Sequence, residues 1–230
     1  MIKKKTLMSW SSGKDSAWAL HKLLQNPEIE VVGLFCTVNR EFNRVAMHGV
    51  SVELLLQQAA RIGLPMELIE IPYPCSNEEY ENIMEKFVEK AKNNAIEFFA
   101  FGDLFLEDIR NYREQKLSSC GIKPVFPIWG SPTDALAKEM INNGLKTIIT
   151  CIDPKQIPQE FVGKEFNDKF LASLPESVDP CGENGEFHSF VYDAPMFNSP
   201  IQISVGEIIH RDNFIFADLL PATAIHPQVC

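Results

Sequence analysis

The run Ser9-Trp10-Ser11-Ser12-Gly13-Lys14-Asp15-Ser16 places small residues, a glycine and a cation directly after a short apolar run and at the start of the first helical pattern. A helix N-terminus leaves N–H groups unpaired and carries partial positive charge, so a loop of this make-up suits an anion, phosphate above all. It is not a Walker A loop. That pattern needs a glycine five residues before its Gly-Lys pair, where Met8 stands, and Asp15 occupies the place of the metal-holding Ser or Thr. The competing reading is an ordinary Ser/Gly turn capped by Asp15.

Three further clusters could carry chemistry. Residues 39–48 form a polar connection with Arg40, Arg44 and His48, which otherwise reads as a surface loop with a helix-capping histidine. Residues 102–113 begin Gly102-Asp103, carry three acids, and end with Arg110 and Arg113 at i, i+3 on one helix face. Arginine forks suit carboxylate or phosphate, and Asp103 at a strand end suits Mg²⁺ or a water. The alternative there is an exposed helix start with ordinary charge pairs, which fits Glu107 and Asp108 better than Asp103. Residues 179–191 crowd Glu183, Glu186 and His188 into a glycine-bracketed turn before a strand. In an extended segment Glu186 and His188 would share a face. Close carboxylates there could hold an ammonium and take its proton, whereas the plain alternative is a hairpin turn with solvated acids.

Periodicity supplies the elements that must position these residues. Strands are expected at 5–10, 31–38, 66–71 and 98–101, the second an unbroken apolar run as in a strand covered on both faces. Helices are expected at 16–24, at 50–62 with Val52, Leu55, Leu56, Ala59 and Ile62 as its apolar stripe, at 77–93 behind a Ser76–Glu79 capping box, and at 106–120. Repeated strand–helix units argue for a parallel sheet with helices on both faces, binding ligands beyond its strand C-termini. The 11–16 loop and Gly102-Asp103 lie on that edge. After residues 124–127 the texture changes: Ser131 as N-cap and Pro132 as first residue open a helix that Asn143-Gly144 ends, a strand follows at 147–152, and short strands recur at 187–192, 201–209 and 214–219. The expected organisation is a first domain over 1–130 and a smaller α+β domain over 131–230.

Composition narrows the function classes. With 45% hydrophobic and 23% charged residues over 230 positions, the chain can bury a full core as a soluble globular protein. A net charge of −10, with Lys3-Lys4-Lys5 the one basic run, makes nucleic acid an unexpected partner. No apolar run approaches the ~18 residues of a membrane span, and no secretory segment follows the N-terminal lysines. Six scattered cysteines without a C-x-x-C pair fit a reduced, cytoplasmic setting and no zinc site.

The order Ser-x-Gly-Lys-Asp-Ser at residues 11–16 resembles the PP-loop of ATP pyrophosphatases, usually Ser-Gly-Gly-x-Asp-Ser, which split ATP between its α- and β-phosphates and leave AMP on the substrate. Ser12 stands where the first glycine is usual, so the turn is expected to avoid a strongly positive φ there. Taken in order with His48-Gly49-Val50, Gly102-Asp103, Pro127-Ile128-Trp129 and Cys181-Gly182-Glu183-Asn184-Gly185-Glu186-Phe187, this loop resembles the diphthine–ammonia ligases and their bacterial relatives over most of the chain.

The resemblance implies a HUP-type, Rossmann-like α/β/α nucleotide-binding domain with a smaller C-terminal domain. It also implies an ATP-dependent ligase that adenylates a carboxylate, of a small molecule or a protein, and amidates it with ammonia. Ser11, Ser12, Gly13, Lys14, Asp15 and Ser16 would cradle phosphates, with His48 and Gly102 beside the nucleotide and Asp103 holding Mg²⁺. Arg110 and Arg113 would bind substrate carboxylate or pyrophosphate. Glu183, Gly185, Glu186 and His188 would form the acceptor site, and Lys14, Asp103 and Glu186 would act in catalysis. Where the ligases carry Glu-Gly-Gly-Glu-Tyr-Glu, this chain has Asn184 for a glycine and His188 for a carboxylate, so ammonium or substrate handling is expected to differ. A homodimer is among the assemblies this reading allows. The alternatives are an ATPase with another acceptor, a tRNA thiolase using Cys120 or Cys181, and a non-catalytic adenine-nucleotide sensor.

Overall fold

The computed structural model describes residues 3–45 and 49–222. Its first part alternates strands and helices: β1 (Lys4–Ser9), α1 (Lys14–Leu24), β2 (Ile29–Asn39), a short β3 (Arg44–Val45), α2 (Val52–Ile62), β4 (Met66–Ile71), α3 (Asn77–Asn93), β5 (Phe98–Ala100), α4 (Glu107–Ser118) and β6 (Lys123–Val125). The second part holds α5 (Thr133–Asn142), β7 (Lys146–Ile152), a 3-10 turn (Gln159–Phe161), α6 (Asp168–Ser173), β8 (Phe187–Asp193), β9 (Ile203–Arg211) and β10 (Phe214–Pro221).

β2 is the pivot of the first sheet. It pairs in parallel with β1 through residues 29–35 and with β4 through 34–39, so these two neighbours lie on opposite edges. β1 pairs onward with β5, and β5 with β6, again in parallel. The parallel order is therefore β4-β2-β1-β5-β6, which reverses direction between β1 and β5, and a ligand crevice forms at such a reversal. β3 pairs antiparallel with Val38 and Asn39, on the β1 side of β2, just past the end of β1. The polar connection at 39–48 thus contains a small hairpin rather than loop alone. Alternation along β2 sends Leu34, Cys36 and Val38 into one core and Phe35 into another with Phe87 and Phe99, which is why the middle of the strand, residues 31–36, is unbrokenly apolar.

The second sheet is antiparallel, in the order β8-β7-β10-β9. The expected boundary at 130/131 separates the two sheets, yet the core runs across it: Met8, Leu20, Leu34 and Leu55 share one cluster with Ile149, Phe187, Phe190 and Val191. The second sheet meets the first part through α1, which packs on β8, and the apolar area this shared core removes from water contributes about 25 cal/mol per Å².

Local signals explain most element ends. The Ser76–Glu79 capping box is formed in both directions, and Gly63 ends α2 at φ +79. Two expectations are corrected. Pro132 (ψ +122) is not yet helical and sits at the N-cap of α5, so Ser131 is one position too early to cap and makes no such bond. Leu56 is exposed, and the core face of α2 is filled by Leu54, Leu55, Gln58 and Ala59 instead. β6 is hidden in the sequence by Pro124, which an outer strand of the sheet tolerates.

Candidate active site

The β1–α1 turn carries the main surprise of the structure. Ser12 adopts φ +70, the left-handed region, although it has a Cβ. This overturns the expectation of a turn without positive φ. The reason lies outside the loop: the Ser12 carbonyl must point between β8 and α2, where it accepts from Val191 N (3.0 Å) and from Gln58 Nε2 (3.0 Å). The Ser12 hydroxyl is buried and has no hydrogen-bond partner. Beside it, Ser11 and Ser16 are joined through their hydroxyls at 3.1 Å, and Ser16 Oγ also donates to Gly13 O. The α1 N-terminus thus presents two hydroxyls and its dipole to the space beyond β1.

β5 delivers Gly102 against this turn. A Cβ on Gly102 would lie 2.8 Å from Asp15 C and from Ser16 N, backbone atoms that cannot yield, so glycine is required by close approach. The next residue, Asp103, accepts a bidentate pair from Arg113, at 2.7 Å from Nε and 3.1 Å from Nη2. The Arg113 guanidinium also lies over the Phe101 ring, 4.2 Å from its centroid.

The third wall is the turn before β8, and its acids divide into two kinds. Asp179 and Glu186 face inward and hold the turn together. Asp179 accepts from Cys181 N, Glu183 N and the Thr133 hydroxyl, while Glu186 accepts from Asp179 N, Asn184 N and Asn184 Nδ2. Glu183 instead reaches across to the loop after β5, where its Oε1 accepts from Leu104 N at 2.9 Å. Lys14 crosses in the other direction. Its ammonium donates to Asp15 Oδ2 at 2.8 Å and to Cys181 O, and lies over the Phe187 ring. Its backbone N–H donates to Ser189 Oγ. Gly182, at φ +69, lets the turn fold back so closely that a Cβ there would lie 2.9 Å from Phe187 O.

These walls enclose a cleft of about 230 Å³ lined by residues of the 9–16 loop, of 101–103, Arg113 and of 182–189. That is below the ~300–1,000 Å³ typical of whole small-molecule sites. It is the scale of a phosphate group with the atoms next to it. Burial opposes the charge on Lys14, but Asp15, Cys181 and Glu183 together outweigh that and raise its pKa. Burial also raises Asp15, with Lys14 opposing. Burial lifts Glu183 to about 7, against the pull of the Leu104 N–H, and burial with the nearby Lys14 charge lowers His188 to about 4. At neutral pH the cleft therefore holds a carboxylate near its midpoint and a neutral imidazole.

Of the sequence candidates, Ser11, Lys14, Asp15, Ser16, Gly102, Asp103, Arg113, Glu183, Gly185 and His188 line this cleft. Ser12 and Gly13 shape the turn without lining it. Arg110 is drawn away by Glu114 and by the faces of Phe126 and Trp129, 4.8 Å from the latter's centroid. Glu186 is 1% exposed and committed to its own turn, so it does not share a face with His188; β8 begins only at Phe187. Asp103, expected to hold Mg²⁺, has both oxygens committed to Arg113. His48 lies outside the described residues. Sequence reasoning missed Ser189 and Gln58. The available signal for Gln58 was a polar residue at i+3 from Leu55 and i−4 from Ile62, on the apolar face of α2. The thiol of Cys181, a candidate for sulfur transfer, is 1% exposed and pushed upward by burial, and Cys120 sits at the end of α4 bonded to Lys116 O.

Comparison with known proteins gives a consistent result across the chain. The family description "Diphthamide synthase N-terminal domain" matches residues 4–124, and "Diphthamide synthase C-terminal domain" matches residues 132–219. The diphthine–ammonia ligase of Mus musculus is 24% identical over 178 residues, covering 75% of this chain and 67% of the mouse protein. That of Rattus norvegicus is 23% identical over 189 residues (79% of this chain, 71% of the relative), and that of Danio rerio 26% over 162 residues (67% and 64%).

Proposed function

The chain belongs to the diphthamide synthase family, and on that premise we propose that its cleft activates a carboxylate with ATP and converts it to an amide with ammonia, releasing AMP and pyrophosphate. The observation that carries this reading is the convergence, in one space, of an anion-seeking helix N-terminus, two cations and a carboxylate near its midpoint. We assign residues 1–130 to the nucleotide and 131–230 to the acceptor, with the cleft between them.

In the first step a substrate carboxylate oxygen attacks the α-phosphorus of ATP, and the bond from that phosphorus to the bridging oxygen breaks. Pyrophosphate leaves with its charge met by the α1 N-terminus, Ser11, Ser16 and Lys14, whose ammonium exchanges the Cys181 carbonyl for a phosphate oxygen. Arg113, held flat by Asp103 and Phe101, offers a planar cation to the acceptor carboxylate or to pyrophosphate. In the second step ammonia attacks the acyl carbon, AMP leaves, and the surplus proton passes to Glu183, whose raised pKa suits proton exchange near neutrality. His188, neutral, lines the acceptor side. Glu186 acts indirectly, through the shape of the turn that carries Glu183.

Mg²⁺ fits one feature of the site. Asp15 Oδ1 is buried without a hydrogen-bond partner, and it is the carboxylate oxygen free to meet a cation, in place of Asp103. A bound Mg²⁺ would neutralise charge on the phosphates.

The acceptor is a carboxylate, of a small molecule or a protein. Sulfur transfer to tRNA lacks an accessible nucleophile in Cys181. The free cysteines among the described residues fit a reducing, cytoplasmic location, and among those residues no helix is long and apolar enough to cross a membrane. A homodimer is the assembly to test by light scattering. The decisive experiment supplies ATP, ammonium and candidate carboxylates and resolves the nucleotide products. AMP and pyrophosphate formed with the amide support the proposal, whereas ADP and phosphate as main products would refute it.

A further inference from the structure

Gln58 is fully buried, yet it is polar and lies on the core face of α2. Its amide meets three groups: Trp10 Nε1 donates to Oε1 at 2.8 Å, while Nε2 donates to Ser12 O at 3.0 Å and to Val191 O at 2.6 Å. The orientation of the amide is fixed by these partners. An indole N–H can only donate and the two carbonyls can only accept, so a flipped amide would lose all three bonds. Both donors of one side chain are thus spent on joining the turn after β1 to β8 of the second sheet.

We propose that Gln58 is a positioning residue for the nucleotide loop, holding Ser12 in its left-handed conformation and so setting the direction in which Ser11, Lys14 and Ser16 face the cleft; as a statement about nucleotide, it rests on the function proposed above. The physical need is specific to this chain. A residue with a Cβ loses about 1–2 kcal/mol in the left-handed region, which corresponds to roughly 5–30-fold in an equilibrium constant. Left alone, Ser12 would relax toward negative φ. That rotation would swing its carbonyl off Val191 N and carry Gly13 and the first turn of α1 with it. Two donors converging on the Ser12 carbonyl oppose the rotation. Because the second donor bond of Gln58 ends on Val191, the loop is set only while β8 is docked.

The test is a double-mutant cycle between Gln58→Met, which keeps length and loses both donors, and Ser12→Gly, which removes the need for a clamp. Calorimetry with Mg·ATP should show Gln58→Met weakening binding about tenfold in the parent background and less than about threefold in the Ser12→Gly background, since coupled neighbours are non-additive. The restored affinity in the double variant is the readout that plain loss of core packing would not produce. Equal losses in the two backgrounds, or unchanged affinity of Gln58→Met, would overturn the clamp.

The same cycle read by urea unfolding needs no nucleotide. A loss in the unfolding equilibrium constant about fivefold smaller in the parent, where relaxation of Ser12 releases its left-handed strain, than in the Ser12→Gly background supports the clamp, and equal losses overturn it. If the unaltered protein binds no Mg·ATP, the proposed function fails, and the unfolding cycle still decides the role of Gln58.

Discussion

Ser12→Gly should make this protein more stable, and the structure allows the gain to be worked out. Ser12 sits at φ +70 with its side chain fully buried and its hydroxyl unpartnered. Glycine removes a left-handed penalty of about 1–2 kcal/mol and an unsatisfied buried hydroxyl that costs about 1–3 kcal/mol. Against this stand about 0.4–1 kcal/mol of extra unfolded-state entropy and roughly 1 kcal/mol for the small void left behind. The balance favours the variant by about 1–2 kcal/mol. For a chain of 230 residues that is a rise in Tm of roughly 2–8 °C, at ~2–4 °C per kcal/mol. Urea unfolding followed by circular dichroism, with calorimetric scans beside it, measures both quantities. Ser12→Ala is the control: it deletes the hydroxyl and keeps the strained backbone, so it should recover only part of the gain. A Ser12→Gly protein no more stable than the parent, or one matched by Ser12→Ala, would refute the argument that backbone strain is stored at this turn.

Three other outcomes follow from the site. Gly102→Ala drives a methyl into the backbone of Asp15 and Ser16 and should cost about 1–3 kcal/mol while removing measurable Mg·ATP binding; a variant that binds normally would show that the β5 end and the α1 turn need not touch. Glu186→Gln replaces one accepting oxygen with a donor facing N–H groups and should lower stability by about 2 kcal/mol in urea unfolding; a fully stable but inactive variant would return Glu186 to the chemistry. For Glu183, whose folded pKa of about 7 lies above its ordinary 4.5, the native state binds the extra proton, so this group's contribution to stability is present below pH 4.5 and lost as pH rises through 7. His188, lowered to about 4, works in the opposite sense between pH 4 and 6.5. Glu183→Gln should therefore be more stable than the parent at pH 8 and much slower in turnover, and unaltered curves of stability against pH would discount the raised carboxyl.

Much of this molecule is decided locally and could be read from the chain. The Ser76–Glu79 box caps α3 because donor and acceptor lie three residues apart, and Met66–Ile71 forms β4 because a short apolar run between turn signals has few other choices. The polarity that makes the 11–16 loop a candidate for an anion also follows from its own residues, since a helix start is polar wherever it stands. Selection among the candidates was not local. Arg110 and Arg113 share a helix face by spacing, but Phe126 and Trp129 hold the first and Asp103 directs the second into the cleft. Glu183 and Glu186 are near equivalents in sequence; the folding of the 179–186 turn spends one carboxylate on internal N–H groups and leaves the other to reach the loop after β5. Ser12 by its own sterics shuns positive φ, and the sequence offers no local reason for it to do otherwise. Val191 and Gln58, distant in sequence, supply the hydrogen bonds that override that preference, and only the tertiary docking of β8 and of α2 beside the turn brings them there.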